Sequence, residues 1–161
     1  MFVIVIFIPY IAQNQNLRMA EKSKLHLEYT MNCSPKVLFN RLSTASGLCE
    51  WFADDVRVKG NLFTFVWEET DQVAEKKNHK ENKMVRYEWK DEEEKESNYF
   101  EFIIAQDDLT NDVSLLINDF AEKDEMQSAT DLWNSQVTRL KQLLGSWHFN
   151  FIGIRELDTG F

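Results

Sequence analysis

The chain has 161 residues, 43% of them hydrophobic and 13% aromatic, with 5 Gly and 2 Pro. That is enough for one domain with a substantial core and too apolar for a disordered chain. A net charge of −9 repels phosphate backbones and anionic lipid headgroups, which argues against nucleic acid as a partner.

Residues 1–18, MFVIVIFIPYIAQNQNLR, carry an apolar run shorter than the roughly 20 residues of a membrane span. They lack the basic start and small-residue cleavage site of a signal peptide. They are expected to lie outside the fold, with no stable membrane insertion; a degenerate signal or anchor is the alternative. MAEKSKLHLEY, from Met19, reads as the ordinary start of a domain spanning residues 19–146.

Within it KLHLEYTM alternates, with Leu25, Leu27, Tyr29 and Met31 on one face of a half-buried strand. Ser34 is an N-cap and Pro35 the first residue of a helix that buries Val37, Leu38, Phe39 and Leu42. A break at Ser43 or Thr44 leads to a second short helix, ASGLCEWF. The period then becomes two. Val56 and Val58 face inward, Gly60-Asn61 signals a tight turn, and Phe63, Phe65 and Trp67 share one face. QVAEKKNHKENK reads as an exposed hairpin strand and turn, in which Lys76, Lys77, Lys80 and Lys83 alternate with Glu75 and Glu81 in solvent. MVRYEWKD groups Val85, Tyr87 and Trp89. DEEEKESN is an acidic connection, and YFEFIIAQ and DVSLLINDF supply two more strands around the turn-rich DDLTND.

The last element, DEMQSATDLWNSQVTRLKQLLG, places Met126, Ala129, Leu132, Trp133, Val137, Leu140, Leu143 and Leu144 at spacings of three and four. This predicts an amphipathic helix of about six turns, capped by Gly145. Residues 147–161 lack a helical period and form a tail of uncertain structure. The fold class is α+β: a curved antiparallel sheet of six or seven strands, two short helices after the first strand, and a long C-terminal helix on the concave face.

Chemical signals are sparse. Adjacent strand residues point to opposite faces, so Asp54 and Asp55 read as a helix end entering a strand rather than a carboxylate pair. His26, His79 and His148 show no metal-ligand spacing, and Cys33 and Cys49 read as reduced, buried thiols of a cytoplasmic protein. No nucleophile elbow, phosphate loop or dinucleotide fingerprint is present. No catalytic residue, metal or cofactor is therefore assigned. The aromatic set carries the information. Phe39, Trp51 and Phe52 on the helices, Phe63, Phe65 and Trp67, Tyr87 and Trp89, Phe100 and Phe102 on the strands, and Trp133 on the long helix fill a core or line a cavity. Tyr29, Tyr87 and Arg86 are the polar anchors available to a ligand there.

The order of elements, with SPKVLFNRLSTASGLCEWFADDV and the closing helix, resembles the START-like, or helix-grip (SRPBCC), superfamily. Within it the chain is similar to the group containing the C-terminal domain of activators of the ninety-kilodalton heat-shock protein's ATPase. The matching features are the opening strand, the helix started at Ser34-Pro35, the short helix ending in Trp51-Phe52, and the late helix bearing Trp133. The likeness implies a sheet gripping a long helix around an apolar cavity. Members bind lipids, sterols, polyketides or plant hormones, some are cyclases or hydrolases, and others contact chaperones. The function expected from it is non-enzymatic binding of a small hydrophobic or lipid-like molecule. A chaperone-contacting interaction module and a cyclase- or hydrolase-like enzyme are the alternatives. Few glycines occur in the middle strands and no glycine-rich loop follows the second, which argues against a wide ligand mouth.

Overall fold

The computed structural model describes residues 22–68, 70–90 and 98–155, with side chains as far as Gly145. The extension 1–18 and the acidic connection 91–97 lie outside the described residues. The chain runs β1 (Lys22–Met31), α1 (Pro35–Ser43), α2 (Ala45–Cys49), β2 (Asp55–Lys59), β3 (Leu62–Trp67), β4 (Thr70–Lys80), β5 (Met84–Trp89), β6 (Tyr99–Gln106), β7 (Val113–Glu122) and α3 (Met126–Arg155).

The seven strands form one antiparallel sheet in the order β1-β7-β6-β5-β4-β3-β2. From β2 to β7 each strand pairs with the next in sequence, the pattern that short turns produce. β1 and β2 occupy opposite edges, separated by six strand spacings of about 4.8 Å, or roughly 29 Å along a flat sheet. The segment between them therefore has to cross the concave face, and that segment is α1 and α2.

Local chemistry explains each boundary of this crossing. The Ser34 hydroxyl accepts from the Val37 amide (3.3 Å) and Pro35 occupies the first turn of α1. Thr44 leaves the helical region (φ −112°, ψ 151°), ends α1 and caps α2 by accepting from Gly47 N at 3.0 Å. The four carbonyls that end α1 have no partners within the helix. Each is supplied by a side chain: Asn40 O by the Thr44 hydroxyl (2.8 Å), Arg41 O by the Trp51 indole (3.0 Å), Leu42 O by the Tyr87 hydroxyl (2.9 Å) and Ser43 O by the Lys76 ammonium (3.0 Å). Trp51 follows α2, Tyr87 stands on β5 and Lys76 on β4, so one helix end ties three separate parts of the chain together.

Several local expectations change. Val37 is 47% exposed and Val58 45% exposed; Val37 lies off the buried stripe defined by Leu38 and Leu42, and Val58 has the inward parity but sits beside the open Gly60 turn. Trp51 and Phe52 follow α2 in a turn rather than lying within it. β4 is a central strand, and Lys76 on its inner side is half-buried under α1, not a solvated hairpin lysine. α3 continues through Gly145. A Cβ at that position would meet nothing within 4 Å, so glycine there weakens the helix by about 1 kcal/mol without terminating it.

Replacing Tyr87 by Phe leaves Leu42 O without its donor in a buried site. The variant is expected to lose about 1–3 kcal/mol of unfolding free energy in urea, with an unchanged denaturant slope.

Candidate functional site

The concave face is covered by two separate elements. α1 lies against β5 and β6 and α2 against β2, whereas α3 lies against β1 and β7. Their boundary is marked by one ring pair: Phe52, from the turn after α2, stacks on Trp133 of α3 with centroids 5.8 Å apart and planes at 17°. Gln136 reaches across the same boundary to Phe52 O (3.5 Å), which also accepts from the Trp67 indole at 2.8 Å.

The aromatic residues singled out from sequence converge here. Trp51, Phe52, Phe63, Phe65, Tyr87, Phe100, Phe102 and Trp133 are buried, while Phe39, Trp67 and Trp89 are half-buried. Phe52 forms the hub, with ring contacts to Trp51, Phe65, Trp67, Phe100 and Phe102 as well as Trp133. Tyr87 and Phe100 stack at 5.0 Å, and Trp89 meets Phe100 at 4.9 Å. Ring-to-ring contact thus runs from Phe63 to Trp133. Trp67 and Trp89, 6.5 Å apart, form its partly exposed end. Phe39 packs on the core from α1 without an aromatic partner in this network among the described residues.

The three proposed polar anchors separate. Tyr29 donates to Asn134 on α3 (2.9 Å), with Lys141 over its ring, and burial raises its phenol pKa. Tyr87 is committed to Leu42 O, and burial pushes its phenol well up. Arg86 faces the opposite side of the sheet. There His26, Asn118, Glu101 and Arg86 stand in register on four adjacent strands. They are joined by His26–Asn118 (2.6 Å), Asn118–Glu101 (3.0 Å) and Arg86–Glu101 (2.9 Å) contacts. The Arg86 guanidinium also lies 4.1 Å over Tyr99.

One group at the concave face has no forerunner among the anchors named from sequence. Asp119 on β7 is 5% exposed; its Oδ2 accepts from the Trp133 indole and its Oδ1 from Phe120 N, both at 2.8 Å. Burial raises its pKa to about 6, against the two hydrogen bonds and the charge of Lys22, which lower it. The signal was present: in LLINDF, Asp119 shares the inward parity of Leu115 and Ile117, and an acid at that parity conflicts with the pattern around it.

Elsewhere the carboxylates are structural. Asp54 Oδ2 accepts from Glu68 N (2.8 Å), and Asp55 pairs with Arg57 (3.1 Å). An open groove of about 560 Å³ near the β6–β7 turn includes Glu28, Thr30, Asp107, Asp112 and Ser114 in its lining. Asp107 there holds the turn by accepting from the amides of Thr110 and Leu109, which lower its pKa. Cys33 and Cys49 are free thiols, and burial raises the Cys33 pKa. Among the described residues no cluster of three or more His, Cys, Asp or Glu side chains is arranged to hold a metal ion, and no helix is long and apolar enough to cross a membrane.

Comparison with known proteins places these features in a family. The model of the START-like superfamily domain matches residues 19–146. The solution structure of the Bacteroides fragilis protein BfR322 is 36% identical over 76% of this chain and 91% of that one, with a TM-score of 0.56. The Aha1 dimer from Colwellia psychrerythraea (16% identity, 74% and 93% coverage, TM-score 0.64) shares the fold. So does the AHSA1 protein from Silicibacter pomeroyi (17% identity, 78% and 100% coverage, TM-score 0.58). No curated protein gives a significant match.

The Asp119 pKa has a definite consequence for stability. Because the folded value lies above the ordinary 3.8, the native state holds this proton more tightly. Stability from this group is fully present at low pH and is lost as pH rises through about 6. Relative to an Asp119→Asn variant, the parent protein should gain about 2–3 kcal/mol between about pH 7.5 and about pH 4, measured by urea unfolding of both.

Proposed function

Since the chain belongs to the START-like superfamily, a family of ligand-binding and interaction modules, we propose that it binds a small hydrophobic or lipid-like molecule without catalysing a reaction. The observation that carries this reading is the divided cover of the concave face. The aromatic wall is contributed partly by the α1–α2 corner and partly by α3, and the two halves meet at the Phe52–Trp133 stack. Parting that seam breaks ring contacts and the long Gln136–Phe52 hydrogen bond and loosens the Trp133–Asp119 bond, but breaks no strand pairing. An apolar molecule replaces those contacts in kind, between rings that already exclude water. Trp67 and Trp89, half-buried at one end of the ring set, are its natural entrance. The eleven rings are then wall residues, with Trp51 anchored through its indole to α1, Phe52 held beside it, and Trp133 on α3 as the ring that yields. The free cysteines agree with a cytoplasmic setting, and the binding unit is the domain of residues 19–146, with 1–18 outside it and the end of α3, to Arg155, running on beyond it.

A second reading, a protein-interaction module of the chaperone ATPase-activator type, draws on a different surface. Leu62 and Val73 are exposed on the outer face of β3 and β4, diagonal to one another across the pair, and apolar side chains in such a position suit a protein partner.

Freshly purified protein should carry or take up fatty acids, sterols or related apolar molecules in native mass spectrometry, and such ligands should raise its melting temperature. Absence of any adduct and of any shift across the panel overturns the binding reading. Retention of the chaperone in a pull-down, with stimulation of its ATPase that Leu62→Ser abolishes, would instead establish the second.

A further inference from the structure

A carboxylate is an unexpected occupant of a ring-walled interior. Removing an ionised group from water is costly unless hydrogen bonds or an opposite charge compensate. Asp119 receives an indole N–H and one backbone N–H among the described residues, while Lys22 contributes an opposing charge. An ionised carboxylate offers about four acceptor positions, so the bonds from the described residues leave acceptor capacity on both oxygens. The group also adjoins the ring network. Its Trp133 partner stacks on Phe52 and meets Phe100 and Phe102 at 6.4 and 5.8 Å. The carboxylate is thus joined, through the Trp133 indole, to the α3 side of the seam at which the two covering elements meet.

We propose that Asp119 is the polar anchor of the interior site and sets its ligand class: an apolar chain or ring system ending in a hydrogen-bond donor, an alcohol or amine, with carboxylate-headed amphiphiles disfavoured. This rests on the binding reading given above and narrows it. A hydroxyl donates to a free lone pair of Asp119 and an ammonium does so with charge assistance. A second carboxylate brought to the same place meets like charge in a medium of low dielectric, where repulsion is far stronger than in water. Headgroup chemistry, rather than chain shape, then discriminates between ligands of equal length.

Dodecanol, dodecylamine and dodecanoate share one chain and differ at the head, so their affinities isolate this effect. Titrated below their aggregation concentrations at about pH 7.5, where Asp119 is ionised, the alcohol and amine are expected to bind the full chain at least tenfold more tightly than the acid. In Asp119→Asn the amine should lose, and dodecanoate gain, about tenfold. Equal affinity of dodecanoate and dodecylamine for the parent protein overturns the anchor while leaving apolar binding intact. An amine preference that persists in Asp119→Asn also overturns it, because the acidic surface then accounts for that preference. Should none of the three, nor any molecule of the wider panel, bind the parent protein, the binding reading itself fails and takes the anchor with it. If the variant does not fold, dodecanol against its methyl ether decides instead: both are uncharged and only the alcohol donates, so equal affinity for the parent protein overturns the anchor.

Discussion

Four carbonyls at the end of α1 have no partners within the helix, and the buried one among them, Leu42 O, would cost about as much as a typical destabilising mutation if left without a donor. The chain cannot pair them by continuing the helix, because Thr44 turns away to cap α2. Donors come instead from Thr44 itself, Trp51, Tyr87 and Lys76. Lys76 adds a positive charge where the helix dipole is negative, and its own pKa is lowered by burial. This arrangement holds the crossing segment down on the central strands. It also sets the position of Trp51, and through it the adjoining Phe52, from which the ring network radiates.

The result is an interior with unequal halves. Beneath α1 and α2 the polar groups are committed to backbone: Tyr87 to Leu42 and Trp51 to Arg41. Beneath α3 they pair side chain to side chain, as in Tyr29–Asn134 and Trp133–Asp119. Side-chain pairs can exchange partners without unpairing a helix end. Polar ties to backbone on the α1–α2 side thus hold that half of the cover to a helix end, whereas the α3 side is held by exchangeable side-chain pairs.

Much of the architecture was legible from alternation and capping. Leu25 to Met31, Phe63 to Trp67 and Val85 to Trp89 declared strand faces, Ser34-Pro35 declared a helix start, and the stripe from Met126 to Leu144 declared α3. What escaped depended on tertiary context. Lys76 resembles its solvated neighbours in every local respect, and only the helix end above β4 gives it a buried partner. Arg86 looked available to a ligand until register paired it with Glu101 on the outer face. The aromatic residues were recognised as a set. Their division between two covering elements follows from β1 and β2 lying on opposite edges, a long-range fact that no sequence window contains. Asp119 was missed for a different reason: its parity was readable, but an isolated acid near a strand end blends with the surrounding Asn118 and Glu122.

The ladder of His26, Asn118, Glu101 and Arg86 has a consequence for how the sheet assembles. A slip of one residue in the pairing of β6 with β7 would turn every side chain on the moving strand to the opposite face. Glu101 or Asn118 would enter the apolar interior, and Phe102 or Ile117 would emerge into solvent. With a carboxylate and an amide already buried beside one another on the outer face, even a partial slip separates a guanidinium from its counter-charge. The rungs thus add charge and hydrogen-bond specificity to the apolar alternation, and they count against two-residue slips that keep the faces but separate these partners.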